Sequence, residues 1–321
     1  MFCLSKSRTV FAGIALPLLV NYDSPRALRA FLDEQGLGMR KKFGQNFLIN
    51  PAIRSRLIDA LELSSGDEVW EIGPGLGAMT AGLLERSTQV TAFEIDPAFA
   101  RLLREFFGSN PAFSLVEGDV LKTWPAVTAN LAAKDDLFLL GNLPYNIAAA
   151  LLADFIEKSR FFRRIVVTVQ REVAQRMIAK PGSPDYSSFS VLCSSVYKVS
   201  PLLVIKGSCF YPVPRVDSQG VRLDLLPNRE KLPRLFYPLV RSLFSSRRKT
   251  IKNTLSNFAA SVIIKRGDAL LSQRDASPSA TEVAADVLCR AGISGERRAE
   301  TLAIDEFAAL AAFLEEIVVH V

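Results

Sequence analysis

Histidine is almost missing from this chain: of 321 residues only His320, in the penultimate position, is one. That argues against a histidine general base, a Ser-His-Asp triad and a histidine-held metal. Cysteine is sparse as well. Cys3, Cys193, Cys209 and Cys289 are scattered and form no C-x-x-C pair. This disfavours a disulfide framework and a zinc site, and fits a reducing, cytoplasmic setting. No apolar run is long enough to span a bilayer, so no membrane role is expected. Internal repeats and low-complexity tracts are lacking too, which leaves an ordinary globular chain.

One apolar run stands out, residues 10–20, which follows Lys6 and Arg8. It has the basic-then-apolar shape of a signal peptide but no clear small-x-small cleavage site after it. Translation from Val20 is a further explanation. Residues 1–20 are therefore expected to be an extension outside the fold.

The apolar share is 49%, enough for a real core, and the net charge is +6. The charge is unevenly spread. Residues 227–267 hold ten Lys/Arg against one acid, Glu230, so the rest of the chain is net acidic. A concentrated basic segment is a footprint for a polyanion, although charge runs often belong to a plain solvated helix face.

Strand and helix patterns alternate from residue 68. Apolar strand runs cover 68–72, 90–95, 113–117, 137–140 and 165–170, with helical patterns between them. This order predicts a parallel, doubly wound sheet. Around residues 199–225 two β-rich runs flank a proline-rich loop, which predicts an antiparallel pair at a sheet edge. Beyond residue 227 only helical patterns remain, at 239–258, 280–291 and 304–317. The expected organisation is an α/β domain over 21–226 and a small all-helical, basic domain over 227–321.

Chemistry concentrates at predicted strand ends. Residues 71–77 (EIGPGLG) form a glycine-rich strand-to-helix turn, where Gly73 and Gly75 would let a ligand approach the backbone. Glu94 ends the next strand, 21 residues after Gly73, and would accept hydrogen bonds from ribose hydroxyls. Asp119 ends the third strand and would hold the exocyclic amine of an adenine. Three strand ends in this order point to an adenosine-containing cofactor.

The next strand runs into Gly141-Asn142-Leu143-Pro144-Tyr145-Asn146. An ordinary strand-to-helix turn uses these residue types too. Here, however, Asn142 and the carbonyl of Leu143 or Pro144 would accept both hydrogens of an adenine amino group. Tyr145 would stack on the base, and Phe210 or Tyr211 would close its other side. A dehydrogenase on the same frame would need a proton-handling group, whereas methyl transfer from a sulfonium mainly needs alignment.

Six stretches carry a resemblance: residues 42–48 (KFGQNFL), 71–77, 118–120 (GDV), 142–145 (NLPY), 210–218 (FYPVPRVDS) and 244–250 (FSSRRKT), with 298–300 (RAE) near the end. NLPY matches the motif of N6-adenine methyltransferases. Together the set resembles the ribosomal RNA adenine dimethyltransferase family, and within it the bacterial enzymes of small-subunit (16S) rRNA. The resemblance implies a Rossmann-like class I methyltransferase fold with a mostly parallel sheet and a helical C-terminal domain. It implies S-adenosylmethionine held by Asn46, Leu48, Gly73, Glu94, Asp119 and Asn142, with no metal. It also implies two adjacent dimethyladenosines as product, in the hairpin near the 3′ end of small-subunit rRNA.

The partner would be the immature small ribosomal subunit. Arg40, Lys41, Lys42, Arg241, Arg247, Arg248, Lys249 and Lys252 would hold its phosphates, giving salt-dependent, largely sequence-independent binding. Nothing in the sequence demands more than a monomer. The alternatives are a large-subunit rRNA adenine methylase and a non-catalytic ribosome-assembly factor on the same fold. A DNA adenine methylase would usually show two prolines where this chain has Leu143-Pro144.

Overall fold

A computed structural model describes residues 20–38, 45–86, 88–128, 136–144, 147–227, 232–270 and 279–320. Residues 1–19, most of the expected N-terminal extension, and Arg40, Lys41, Lys42 and Tyr145 lie outside the described residues.

The chain begins with α1 (Pro25–Glu34), β1 (Phe47–Leu48) and α2 (Pro51–Asp59). Alternation follows: β2 (Glu68–Ile72), α3 (Ala78–Leu84), β3 (Gln89–Glu94), α4 (Pro97–Phe107), β4 (Phe113–Glu117), α5 (Val120–Thr128), β5 (Phe138–Asn142), α6 (Ala148–Glu157) and β6 (Arg164–Gln170). Then come α7 (Arg171–Ile178), α8 (Ser188–Ser194), β7 (Tyr197–Ile205), β8 (Phe210–Tyr211) and β9 (Ser218–Leu225). The last four helices are α9 (Phe236–Phe244), α10 (Ile251–Leu270), α11 (Ala280–Ala291) and α12 (Ile304–His320).

Three helix starts share one device. Ser24, Asn50 and Asp96 each cap a helix with a side-chain oxygen, and a proline stands at its first turn. The cap satisfies an amide with no partner inside the helix, and proline gives up an N–H that was orphaned anyway.

Seven strands form one sheet in the order β4-β3-β2-β5-β6-β9-β7, and β1 pairs antiparallel with β8 as a separate ribbon. From β4 to β6 the pairing is parallel, and β9 joins β6 antiparallel. The central strand β5 buries Phe138, Leu139 and Leu140 almost completely. A parallel strand covered on both faces reads as an unbroken apolar run for this reason. The chain thus has a Rossmann-like, doubly wound architecture, with helices following towards its C-terminus.

Two compact units divide the chain, and they are not contiguous in sequence. The first takes the residues up to Leu151, Phe161–Arg171 and Pro201–Asp224; the second takes Leu152–Arg160, Glu172–Ser200 and Leu225 onward. The change from strands to helices near residue 226 is visible in the sequence, but α7 and α8 also go with the second unit. The cause is packing: Tyr186 and Val191 are buried in a core built mainly from Phe236, Leu239, Ile251, Leu255, Val287 and Phe307.

The helix expected over 239–258 is two helices. Residues 245–250 break it, with Ser245 donating both its N–H and its hydroxyl (2.7 Å) to the Ser242 carbonyl. Serine competes with helical bonding in this way. The first amides of α10 bond instead to the carbonyls of Arg297 and Gly295, at 2.8 and 3.0 Å. The apolar spacing survives the break, because Val240, Ile251, Leu255 and Phe258 are all buried in this second core. Among the described residues no helix is long and apolar enough to cross a membrane.

Candidate active site

The sheet fixes where a site can form. From β2 the chain moves outward through β3 to β4, while β5 lies on the other side of β2 and leads to β6. The carboxyl ends of β2 and β5 therefore border a topological switch point, where open α/β sheets bind ligands. A cleft opens there, lined by the turn after β2 (Gly73 to Leu76), Glu94 and Ile95 at the end of β3, and Asn142 and Pro144 at the end of β5. Gln45 to Leu48, Tyr22, Arg54 and Phe99 also line it.

The glycine turn needs glycine for two reasons. Gly73 and Gly77 have φ of +68° and +85°, a region that L side chains rarely adopt. A Cβ on Gly77 would also lie 2.4 Å from Phe107 Cε2, whereas one on Gly73 would meet only the Asn142 carbonyl at 4.0 Å. Gly77 therefore seats the turn on α4, and Gly73 leaves backbone open to the cleft. Gly77→Ala is expected to cost ~1–3 kcal/mol in backbone strain alone, and more once Phe107 is displaced. The measurement is the urea midpoint of the purified variant; an unchanged midpoint would remove the argument.

Glu94 is 4% exposed. Its Oε2 accepts from Gly75 N–H at 3.1 Å and its Oε1 from Asp96 N–H at 2.8 Å. Burial pushes its pKa up to about 7; the two amide bonds oppose that, and the Asp96 charge adds to it. Glu71 lies deeper and is fully buried. Thr80 Oγ1 donates to its Oε2 at 2.6 Å, while its Oε1 has no hydrogen-bond partner among the described residues. Desolvation raises this carboxyl to about 7 as well, with the Glu94 charge contributing.

Both groups titrate higher in the folded chain than the ordinary carboxylate value of 4.5. Their sign follows: the fold is favoured at low pH, where both are protonated, and loses stability as pH rises through about 7. Glu71→Gln should flatten that loss by up to ~3 kcal/mol. Thermal unfolding between pH 4 and 8, which spans the rise from 4.5 to about 7, reads it; parallel curves for the two proteins would contradict the assignment.

Asn142 is held at both ends of its amide. Nδ2 donates to the Asn46 carbonyl at 2.7 Å, and Oδ1 accepts from Thr168 Oγ1 at 2.9 Å. Leu143 has a buried side chain, and its N–H donates to the Thr168 carbonyl at 3.1 Å. The Pro144 carbonyl already accepts from Ile147 and Ala148 N–H at 3.1 and 3.3 Å, which starts α6. Of the two carbonyls expected to serve a base, that leaves Leu143.

Asn46, Leu48, Gly73, Gly75, Glu94, Asn142 and Pro144 meet around the cleft. Asp119 does not line it. It instead caps α5, its Oδ1 accepting from Leu121 N–H at 3.1 Å. Phe210 is 2% exposed and belongs to the first unit's core, opposite Leu48 in the β1–β8 ribbon. Its neighbour Tyr211 is half-buried and pairs with the cleft residue Phe47.

The cleft also uses residues that sequence reasoning did not assign. Tyr22 donates its hydroxyl to the Leu76 carbonyl at 3.0 Å, and burial pushes its pKa up to about 12. Gln45 donates to Asp96 Oδ2 at 3.0 Å, which ties the segment before β1 to the end of β3. Arg54 donates to the Leu48 carbonyl at 2.8 Å and pairs with Asp23. Gln45 stood within a quoted motif; Tyr22, Arg54 and Thr168 carried no local signal.

In the second unit the predicted RNA-binding residues divide. Arg241 pairs with Glu157, while Arg247 donates to the Pro184 carbonyl at 2.9 Å and to Glu300 at 3.1 Å. Arg248, Lys249 and Lys252 are exposed, and none forms an ion pair with a described residue. Among the described residues no group of acids, histidines and cysteines has the makings of a metal site.

The sequence pattern of ribosomal RNA adenine dimethylases matches residues 36–266. A protein of Treponema denticola named ribosomal RNA small subunit methyltransferase A is 44% identical over 292 residues, covering 89% of this chain and 93% of that one. Its namesake from Borreliella burgdorferi is 41% identical over 263 residues, covering 82% and 92%. Among solved structures, a dimethyladenosine transferase from Plasmodium falciparum superposes with a TM-score of 0.68 at 25% identity, covering 84% of this chain and 97% of that one. The 23S rRNA methyltransferase ErmE shares the fold with a TM-score of 0.56 at 22% identity, covering 84% and 99%. With the glycine turn, the buried Glu94 and the anchored Asn142 all at one switch point, and relatives of this name along most of its length, the chain belongs to the ribosomal RNA adenine dimethylase family.

Proposed function

We propose that the chain transfers methyl groups from S-adenosylmethionine to N6 of two adjacent adenosines in the 3′-terminal hairpin of small-subunit rRNA. The observation that carries this reading is Asn142, held at both ends of its amide in the wall of the cleft, with the Leu143 carbonyl beside it in the chain. The cleft fits the cofactor. Gly73 leaves backbone open to it, and Glu94, buried in its wall, would accept from hydroxyl donors with the lone pairs its two amide bonds leave. Asn46, Leu48, Gly75 and Asn142 would complete its hold, with Asp119 one strand further out. When bound, the cofactor supplies a methyl group on a cationic sulfur, a leaving group that needs no acid to help it.

The chain's own work is then orientation. Asn142 Oδ1 and the Leu143 carbonyl accept the two hydrogens of the target amine and turn its lone pair toward the cofactor side. Tyr145 grips the flipped base by stacking. Once one methyl is on, the amine keeps a single hydrogen, so alignment must work with either acceptor. Each transfer leaves the nitrogen cationic, and it then gives up one N–H proton to water; that proton is acidic enough to leave without an imidazole, in a chain whose one histidine is His320.

Arg248, Lys249 and Lys252 would meet phosphates, as would Arg40, Lys41 and Lys42. Arg241 and Arg247 are engaged by acids and would contribute less. Reversing charge at Arg248 and Lys252 together should lower the slope of log affinity against log salt by about 2. Filter binding to immature small subunits reads it, and an unaltered slope returns these residues to a solvated surface. A small-subunit rRNA substrate puts this work in the cytoplasm.

The test of the whole reading is incubation with radiolabelled S-adenosylmethionine and immature small subunits, followed by mapping of the labelled nucleotides. Label on two neighbouring adenosines near the 3′ end is expected. Label confined to large-subunit RNA, or none at all, would overturn it.

A further inference from the structure

Thr168 is the one polar side chain in the buried stretch of β6. Its neighbours Ile165, Val166, Val167 and Val169 are aliphatic and, like it, buried. The position therefore accepts β-branched bulk, and a hydroxyl there is an addition that packing does not ask for. It lies directly opposite Asn142 in the β5–β6 register.

The bonding around Asn142 leaves one assignment. The Asn46 carbonyl can only accept, so the atom 2.7 Å from it must be the amide nitrogen. That turns Oδ1 toward Thr168, whose hydroxyl must then donate its single proton over 2.9 Å. The other acceptor in reach, the Gly141 carbonyl, is 3.5 Å away and the weaker claimant. Thr168 also accepts Leu143 N–H on its backbone carbonyl at 3.1 Å. One residue thus touches both members of the amine-accepting pair.

We infer that Thr168 is a positioning residue: its hydroxyl locks the Asn142 amide so that the remaining lone pair of Oδ1 serves the target amine through both methyl transfers. The inference rests on the N6-adenosine reading above. It has a consequence specific to a double reaction. The unmethylated amine has two hydrogens and two acceptors, so a loosened Asn142 still leaves one good contact. The monomethylated amine has one hydrogen, and a wandering Oδ1 takes away half of its chances to align. Loss of the hydroxyl should slow the second transfer more than the first.

The experiment compares Thr168→Val and Thr168→Ser with wild type on immature small subunits. It measures kcat, KM for the subunit, the ratio of mono- to dimethyladenosine by nucleoside mass spectrometry, and cofactor affinity by calorimetry. For the valine variant, kcat should fall roughly 10- to 100-fold, the scale set by a small misplacement of a reacting group. Monomethyladenosine should accumulate, while KM and cofactor affinity stay within about twofold of wild type. Serine keeps the hydroxyl and should restore both rate and product ratio. Should the valine variant fail to fold, Thr168→Cys, similar in size and a weak donor, takes its place.

Wild-type rate and product ratio in the valine variant would overturn the positioning role. So would a serine variant as impaired as valine, since the methyl group would then be what matters. A wild-type chain that labels no rRNA adenosine overturns the N6 reading itself, an outcome distinct from active wild type with an indifferent Thr168.

Discussion

Asn142→Ala is expected to lower methyl transfer by ~10²-fold or more, the cost of losing one aligned contact at a reacting centre. The fold should survive. Asn142 is half-exposed at the end of β5, and the strand's burial comes from Phe138, Leu139 and Leu140. Its removal leaves the Thr168 hydroxyl the Gly141 carbonyl as an acceptor, and the Asn46 carbonyl can accept from water. The loss should therefore appear in kcat and not in the thermal midpoint. Asn142→Asp separates two roles. It keeps the Oδ1 acceptor but puts a second oxygen against the Asn46 carbonyl, two acceptors facing each other. Activity should fall nearly as far as with alanine. Turnover near wild type in either variant would end the alignment account.

Glu94→Gln should weaken cofactor binding by roughly 10- to 100-fold, the worth of hydrogen bonds to a charged acceptor. Its pH behaviour is the sharper test. The carboxyl sits near 7 because burial disfavours its charge. Hydroxyl donors from a ribose favour the ionised form, so binding must displace a proton whenever pH is below that value. Affinity should drop up to tenfold for each pH unit below about 7, and level off above it. Glutamine cannot titrate, so its binding curve should be flat over the same range. Calorimetry with S-adenosylmethionine between pH 5.5 and 8 distinguishes the two proteins. A wild-type affinity that ignores pH would take Glu94 out of the ribose contact.

The sheet was legible because its causes are local. Unbroken apolar runs such as 138–140 read as strands covered on both faces, a signal carried by the run itself. Glycines at 73, 75 and 77 announced a turn that the φ angles bear out. What stayed hidden depends on pairing between distant residues. Thr168 meets Asn142 only because β6 aligns with β5 in one register. Phe210 turns inward only because β8 pairs with β1. Slipping either register by one residue would send the side chain to the other face, and nothing within ten residues of it says which register holds. The break between α9 and α10 was missed for a related reason. Apolar spacing continued through it, and the bonds that pay for the break come from Gly295 and Arg297.

The second unit's dispersed make-up sets an order of events during synthesis. Tyr186 donates its hydroxyl to the Leu302 carbonyl, 116 positions later in the chain. At about 5–20 residues per second on the ribosome, that partner arrives roughly 6–23 s after Tyr186 is made. Meanwhile the strands of the first unit from β2 to β6 are all upstream and free to pair. The apolar faces around Tyr186 and Val191 must wait, uncovered, until the C-terminal helices emerge. For a chain proposed to act on ribosomal subunits, its own birth on the ribosome is then a period of exposed hydrophobic surface. A stop codon ahead of Phe307 would leave those faces without the core that buries them.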